Sequence, residues 1–128
     1  MGRRKALVLD DDRLCRTILE EMLEEANYDV SAFSSPTEVI ELWNSQRNQG
    51  RQHSFDLILT DNQMPGMTGL EFLTWIGQQN CPLPDHRKAV ISGSWSSSEL
   101  LAAQKLGCHV FHKPTQVDSL YAWACQEE

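Results

Sequence analysis

Short apolar runs alternate with helix-periodic segments from one end of this chain to the other, and no other feature narrows its possible folds as far. Ala6-Leu7-Val8-Leu9 is stopped by Asp10-Asp11-Asp12, which predicts a buried strand ending in an acidic loop. Leu14, Ile18, Met22 and Ala26 then recur at helical spacing, with Leu19 and Leu23 widening the stripe and Glu20, Glu21, Glu24 and Glu25 on the solvated side. Tyr28–Phe33 suits a second strand. Ser35-Pro36-Thr37-Glu38 marks a helix start: Ser35 can cap, Pro36 fits the first helical position and Glu38 completes a capping box. Val39, Ile40, Leu42 and Trp43 supply the apolar side of that helix. Residues 44–54 are polar around Gly50 and predict an exposed loop, with His53 on the surface.

The second half repeats the pattern. Phe55-Asp56-Leu57-Ile58-Leu59-Thr60 is a strand that ends at Asp61, and a helix follows with Leu70, Leu73 and Ile76 on one side and Phe72 and Trp75 close by. A polar, Pro-containing link over residues 78–86 leads to the strand Ala89-Val90-Ile91. Ser96-x-x-Glu99 is a capping box that opens a helix, and Gly107 stops it. Val110-Phe111 lies in a fifth strand broken by Lys113-Pro114, and Val117, Leu120, Tyr121 and Ala124 mark a last helix. Five strands alternating with five helices, β first, imply an α/β fold with a parallel sheet covered on both faces.

Composition narrows the function classes. A chain of 128 residues fits a single domain, 1–128, with no room for a second of ordinary size. The 41% hydrophobic and 23% charged content excludes a wholly disordered chain. No apolar run approaches the ~18–20 residues that span a bilayer, and Met1-Gly2-Arg3-Arg4-Lys5 lacks the apolar core of a signal peptide, so a cytoplasmic domain without membrane insertion is expected. A net charge of −7 argues against direct nucleic-acid binding, which needs clustered Lys and Arg. Cys15, Cys81, Cys108 and Cys125 form no C-x-x-C pair, so free thiols are expected in place of zinc. His109 and His112, three apart in a strand, point to opposite faces and should not share an ion.

The polar residues gather at the predicted strand ends. Strand one delivers Asp10 and Asp11, strand three Asp61, strand four Ser92 and strand five Lys113, and in open α/β sheets ligand sites form beyond those carboxyl ends. Each residue alone has an easy explanation as a cap or a strand terminator. Acid pair, acid, hydroxyl and amine together do not. Two like charges ~4 Å apart cost on the order of 4 kcal/mol at an effective dielectric near 20, so crowded carboxylates call for a divalent hard cation. Mg²⁺ takes one or two carboxylates plus waters and phosphate oxygens, and an aspartate beside it can attack phosphorus to form an acyl phosphate. Lys113 and Ser92 could then steady phosphoryl oxygens.

Val8-Leu9-Asp10-Asp11, Leu57-Ile58-Leu59-Thr60-Asp61 followed by Met64-Pro65-Gly66, Val90-Ile91-Ser92-Gly93 and Lys113-Pro114 together resemble the receiver domain of two-component response regulators. The resemblance spans essentially the whole chain. It implies a flavodoxin-like (βα)5 fold, doubly wound, with strand order 2-1-3-4-5. By the same resemblance Asp61 accepts phosphoryl from the phosphohistidine of a histidine kinase or histidine phosphotransfer protein. Asp11 and Asp61 ligate Mg²⁺ (Mn²⁺ in its place) through carboxylates, Gln63 through its backbone carbonyl, and Asp10 through a bound water. Asp12 is outside that set. Ser92 matches the switch hydroxyl, Lys113 the family's lysine with a cis bond to Pro114, and Gln63 with Ser94 the positions that modulate hydrolysis. The face of helix 4, strand 5 and helix 5 is the expected contact with a downstream protein.

Two features depart from the family's usual form. Where Tyr or Phe often stands three residues before the lysine, this chain has Val110, with Phe111 on the opposite strand face, so aromatic switching is in doubt while phosphotransfer is not. Trp95, beside Ser96–Ser98, is expected either on a partner surface or in the core. Two rival readings fit part of the pattern. A haloacid-dehalogenase-type phosphatase accounts for Asp10-Asp11-Asp12 but lacks a later acidic pair and leaves Asp61-x-x-Met-Pro-Gly unexplained. A pseudo-receiver that signals without phosphorylation would not need five competent site positions. Met1 close to the first strand favours a native N-terminus, and the short final helix before Gln126-Glu127-Glu128 suggests excision from a longer protein.

Overall fold

The computed structural model describes residues 3–48, 55–79, 81–113 and 117–126. Its elements are β1 (Arg4–Leu9), α1 (Arg13–Glu25), β2 (Tyr28–Phe33), α2 (Pro36–Asn48), β3 (Leu57–Asp61), α3 (Gly69–Gly77), β4 (Lys88–Ser92), α4 (Ser97–Leu106), β5 (His109–His112) and α5 (Val117–Ala124). The five strands form one sheet in the order β2-β1-β3-β4-β5, every pair parallel. His53, and Pro114 with its expected cis bond, lie outside the described residues.

Strand alternation divides the core into two layers. Ala6 and Val8 of β1, Leu57 and Leu59 of β3, Ala89 and Ile91 of β4 and Phe111 of β5 pack with Leu19, Met22 and Leu23 of α1 and Leu120, Trp123 and Ala124 of α5. Leu7, Leu9, Ile58 and Val90 face the other way, onto Val39 and Trp43 of α2, Phe72, Leu73 and Ile76 of α3 and Ala103 of α4. Central strands buried on both faces must read as continuous apolar runs, and β1, β3 and β4 do.

The predicted caps of α4 form, and two further caps appear. Ser96 and Glu99 exchange reciprocal bonds at the start of α4, and Gly107 ends it at φ 75°, a left-handed conformation open to glycine at little cost. Thr68 and Glu71 make a second capping box at α3, and Asp12 caps α1 by accepting from the N–H groups of Leu14 and Cys15. At α2 the Glu38 carboxylate takes the Ser34 hydroxyl at 2.7 Å as well as the Ser35 hydroxyl at 3.5 Å.

Two expectations are corrected and a third, the link before β4, gains a detail. Helix α2 continues to Asn48, so residues 44–48 of the expected loop are helical; Asn44 and Ser45 are exposed and lie on a solvated helix face, which composition cannot tell from a loop. The link over residues 78–86 leads into a 3₁₀ turn, Asp85–Arg87. The buried stripe of α1 centres on Leu19, Met22 and Leu23, while Leu14 and Ile18 are exposed. Helical period finds the stripe but not which of its residues the core covers.

Candidate functional site

The strand order reverses between β1 and β3, each the neighbour of the other, so the crevice at their carboxyl ends is the topological switch point of the sheet. Asp10 follows β1 directly and Asp61 ends β3, and both are buried, whereas Asp11 is exposed. One carboxylate oxygen from each of Asp10, Asp11 and Asp61 lies within 4.8 Å of the others, the one such acidic group among the described residues. The Lys113 amine, brought in just past β5, stands 3.5 Å from Asp10 Oδ2 and 3.4 Å from Asp61 Oδ2.

Hydrogen bonds account for only part of these oxygens. Asp10 Oδ1 accepts from the Asp12 N–H at 2.9 Å, and Asp61 Oδ1 from the Gln63 N–H at 3.2 Å. Asp10 Oδ2 is buried and has no hydrogen-bond partner; Lys113 neighbours it as a charge without completing a bond. An orphaned carboxylate oxygen is costly in a protein interior, and a hard cation that takes oxygen ligands fits this donor set.

Burial raises the Asp61 carboxyl to about 6, and the neighbouring Asp10 adds to that, against the Gln63 N–H and Lys113, which lower it. Burial raises Asp10 as well, opposed by the Asp12 N–H and Lys113. At Lys113 burial acts to lower the amine, but Asp10 and Asp61 outweigh it and hold its pKa above the ordinary lysine value. The amine is therefore a fixed positive charge between two carboxylates that resist ionisation.

The other predicted site residues sit on the same edge. Ser92, fully buried at the end of β4, donates from its hydroxyl to the Ser94 carbonyl at 3.0 Å and accepts from the Ser94 N–H at 3.2 Å. The Lys113 N–H donates to the Ser92 carbonyl at 2.9 Å, tying β5 to β4 at the rim. Gln63 and Ser94 are exposed. Val110 packs in the α4 layer and Phe111 in the α5 layer, opposite faces as expected. Trp95 is half-buried against the α4-side core and its indole N–H donates to the Phe111 carbonyl at 3.0 Å, so core packing is the reading that fits it. Asp12 spends its carboxylate on capping α1, consistent with its place outside the acidic set. His109 stacks on Phe111 and meets Trp123 at a tilt, beside the α5 layer.

Two features escape sequence reasoning. Asn62, next to Asp61, is buried and hydrogen-bonded across three elements, although a lone Asn after a strand reads as a turn residue. Gly69, at the start of α3, packs against the backbone that follows β3: a Cβ there would collide with the Asp61 carbonyl oxygen and stand 3.0 Å from Thr60 Cγ2. Gly69→Ala is expected to cost about 1–3 kcal/mol by overpacking. Thermal denaturation beside wild type measures it, and an unchanged midpoint would show that the backbone yields freely there. Gly66, at φ 85°, supplies the left-handed residue of the Met64-Pro65-Gly66 turn.

Fold and edge chemistry together define a doubly wound α/β domain with an acidic pocket at its switch point. The chain belongs to the response regulator receiver domain family, whose profile matches residues 6–124. Members of that family accept a phosphoryl group on an aspartate in two-component signalling and use Mg²⁺ at an acidic pocket. The chain is 38% identical over 80 residues to the two-component response regulator ARR14 of Arabidopsis thaliana, covering 62% of this chain and 20% of that protein. It is 27% identical over 121 residues to the virulence sensor protein BvgS of Bordetella pertussis, covering 91% and 9%. The chain thus spans a fifth or less of these relatives' length. Its fold matches a response regulator receiver protein from Pseudomonas putida at a TM-score of 0.80, with 24% identity and 99% of each chain covered. It also matches the beryllofluoride-activated receiver domain of DrrB at 0.75, with 18% identity over 95% of this chain and 93% of that one. Among the described residues no helix is long and apolar enough to cross a membrane.

Proposed function

We propose that Asp61 is the phosphoacceptor, taking a phosphoryl group from the phosphohistidine of a histidine kinase or histidine phosphotransfer protein. The observation that carries this reading is the convergence of Asp10, Asp11, Asp61 and Lys113 on one crevice, with a buried Asp10 oxygen that has no hydrogen-bond partner. Asp10, Asp11, Asp61 and the Gln63 backbone carbonyl would hold Mg²⁺, or Mn²⁺ in its place, with Asp10 acting through a bound water. When bound, the ion supplies charge neutralisation for the phosphoryl oxygens.

An Asp61 carboxylate oxygen attacks phosphorus; the new O–P bond forms as the P–N bond to the donor imidazole breaks, and the electron pair leaves on that nitrogen, which is then protonated. Lys113, held cationic by two carboxylates, steadies the developing charge on the transferred group. Ser92 is the switch hydroxyl. In the structure it is engaged with its own loop at Ser94, so its movement toward a phosphoryl group exchanges that local bond for a charged one. Gln63 and Ser94, exposed and uncharged, flank the site where water would hydrolyse the acyl phosphate. Val110 leaves the neighbouring switch position without a ring.

Beyond its own phosphorylation and dephosphorylation the domain acts as a regulator, in the cytoplasm, through protein contacts without nucleic acid. The α4–β5–α5 face, where Leu100 and Leu101 of α4 are exposed, is the proposed contact with a downstream protein. Incubation with acetyl phosphate and Mg²⁺, followed by mass spectrometry, should find one phosphoryl group, on Asp61, with none formed in chelator. Phosphate on another residue would overturn the assignment, and steady turnover of a phosphate ester without a trapped phosphoprotein would favour a phosphatase.

A further inference from the structure

The residue after Asp61 ties the crevice to α4. Asn62 is 1% exposed. Its backbone N–H donates to the Ile91 carbonyl of β4 at 2.9 Å, its side-chain carbonyl accepts from the Leu70 N–H of α3 at 3.1 Å, and its side-chain amide donates to Glu99 Oε2 at 2.6 Å. The amide orientation is set by that network, since only the oxygen can accept from Leu70 and only the nitrogen can donate to Glu99. Glu99 in turn closes the α4 capping box, its Oε1 accepting from the Ser96 N–H at 2.9 Å while the Ser96 hydroxyl accepts from the Glu99 N–H at 3.1 Å. One carboxylate thus holds the first turn of α4 and grips the neighbour of Asp61.

We infer that the Asn62–Glu99 hydrogen bond carries a change at Asp61 to the first turn of α4, making both residues positioning residues for the output face. The inference rests on Asp61 being the phosphoacceptor. The Asp61 side chain is bonded to the Gln63 N–H, so a new bond at its other oxygen pulls on the backbone that carries Asn62. Asn62 is clamped by α3 on one side and α4 on the other, it is shielded from water, and its bond to Glu99 is charge-assisted, so displacement of the loop is transmitted instead of being absorbed by solvent. With Val110 in place of a ring, this is the direct side-chain link from the phosphoacceptor loop to α4 in the described structure.

Reversing donor and acceptor tests the link. Asn62→Asp sets two carboxylates face to face, and Glu99→Gln sets two amide donors face to face once its oxygen caps Ser96. The double variant restores one donor and one acceptor at unchanged net charge, with the Leu70 N–H still satisfied. Full-length protein at saturating Mg²⁺ and beryllofluoride is followed by ¹⁹F resonances of the bound fluoride, by the amides of Ser97, Ser98, Glu99 and Leu100, and by the Trp95 indole N–H. Each single variant should bind beryllofluoride yet lose at least about half of the α4 response, and the double variant should recover it, the signature of pairwise coupling. Glu99→Ala breaks the link a third way, read by the same criterion, should facing carboxylates unfold Asn62→Asp. A full α4 response in the single variants, or a double variant no better than either, overturns the link. Wild type that fails to bind beryllofluoride overturns the reading of Asp61 instead.

Discussion

Asp61→Asn is expected to stabilise the domain at neutral pH while abolishing phosphoryl acceptance. The Asp61 carboxyl is raised from 3.8 to about 6, chiefly by burial and further by Asp10, so its ionised form is disfavoured in the folded state. Because the folded value lies above the unfolded one, the native state binds the proton more tightly. The associated stability is fully present below the unfolded value, is lost as pH rises toward about 6, and stays lost above it. A shift of that size corresponds to roughly 3 kcal/mol. Asp10 is raised by the same cause and deepens the loss. An asparagine keeps the shape without the charge, so in metal-free buffer it should gain about 1–3 kcal/mol at neutral pH and flatten the decline between about pH 4 and 6. Urea denaturation across that range measures both. A variant no more stable than wild type at neutral pH would show that Lys113 already compensates the charge. Saturating Mg²⁺ should narrow the gap, since it binds the ionised carboxylates of wild type.

Arg87→Met should be the most damaging single change far from the crevice. Arg87 is 1% exposed, yet among its described contacts no carboxylate pairs with it. Its Nε donates to the Asp56 carbonyl at 3.2 Å, and one terminal nitrogen donates to the carbonyls of Trp123 and Gln126 at 3.3 and 3.1 Å. The other donates to the Tyr28 hydroxyl at 2.5 Å, which itself donates to the Ala124 carbonyl at 2.5 Å. Arg4 lies over the Tyr28 ring and reaches the Ala124 and Gln126 carbonyls at 3.3 Å. The guanidinium thus serves carbonyls that α5 leaves open at its C-terminal end, where the helix dipole favours a cation. Methionine fills much of the volume but removes a donor from the Tyr28 hydroxyl and the buried Trp123 carbonyl, and from the part-buried carbonyls of Asp56 and Gln126. A loss of about 3 kcal/mol follows, or a fall of roughly 10 °C in melting temperature for a domain of this size. Arg4→Ala, at a partly exposed position, should cost under about 1 kcal/mol. Equal effects from the two variants would mean that the cap, and not burial, sets the cost.

Much of this was legible in the residues. Apolar runs stopped by Asp10, Asp61 and Lys113 located three strand ends, and the Ser96–Glu99 box and Gly107 bounded α4, because these signals are local: a cap or a left-handed glycine acts within one turn of backbone. The acidic set was legible because side chains that leave successive parallel strands at one edge must meet. Val110 and Phe111 fell on opposite faces because strand period is two.

Asn62, Gly69 and Arg87 were not legible, since each owes its role to groups distant in sequence. Asn62 resembles a turn residue until Glu99 is beside it, Gly69 a helix start until the Asp61 backbone lies against it, and Arg87 a surface charge until α5 ends over it. Leu14 and Ile18 erred in the other direction, apolar by period yet left exposed. Local hydrogen bonding and hydrophobic period are properties of neighbours along the chain, and these the sequence by itself determined. Burial of a polar group depends on what packs above it, and only the tertiary structure decided that.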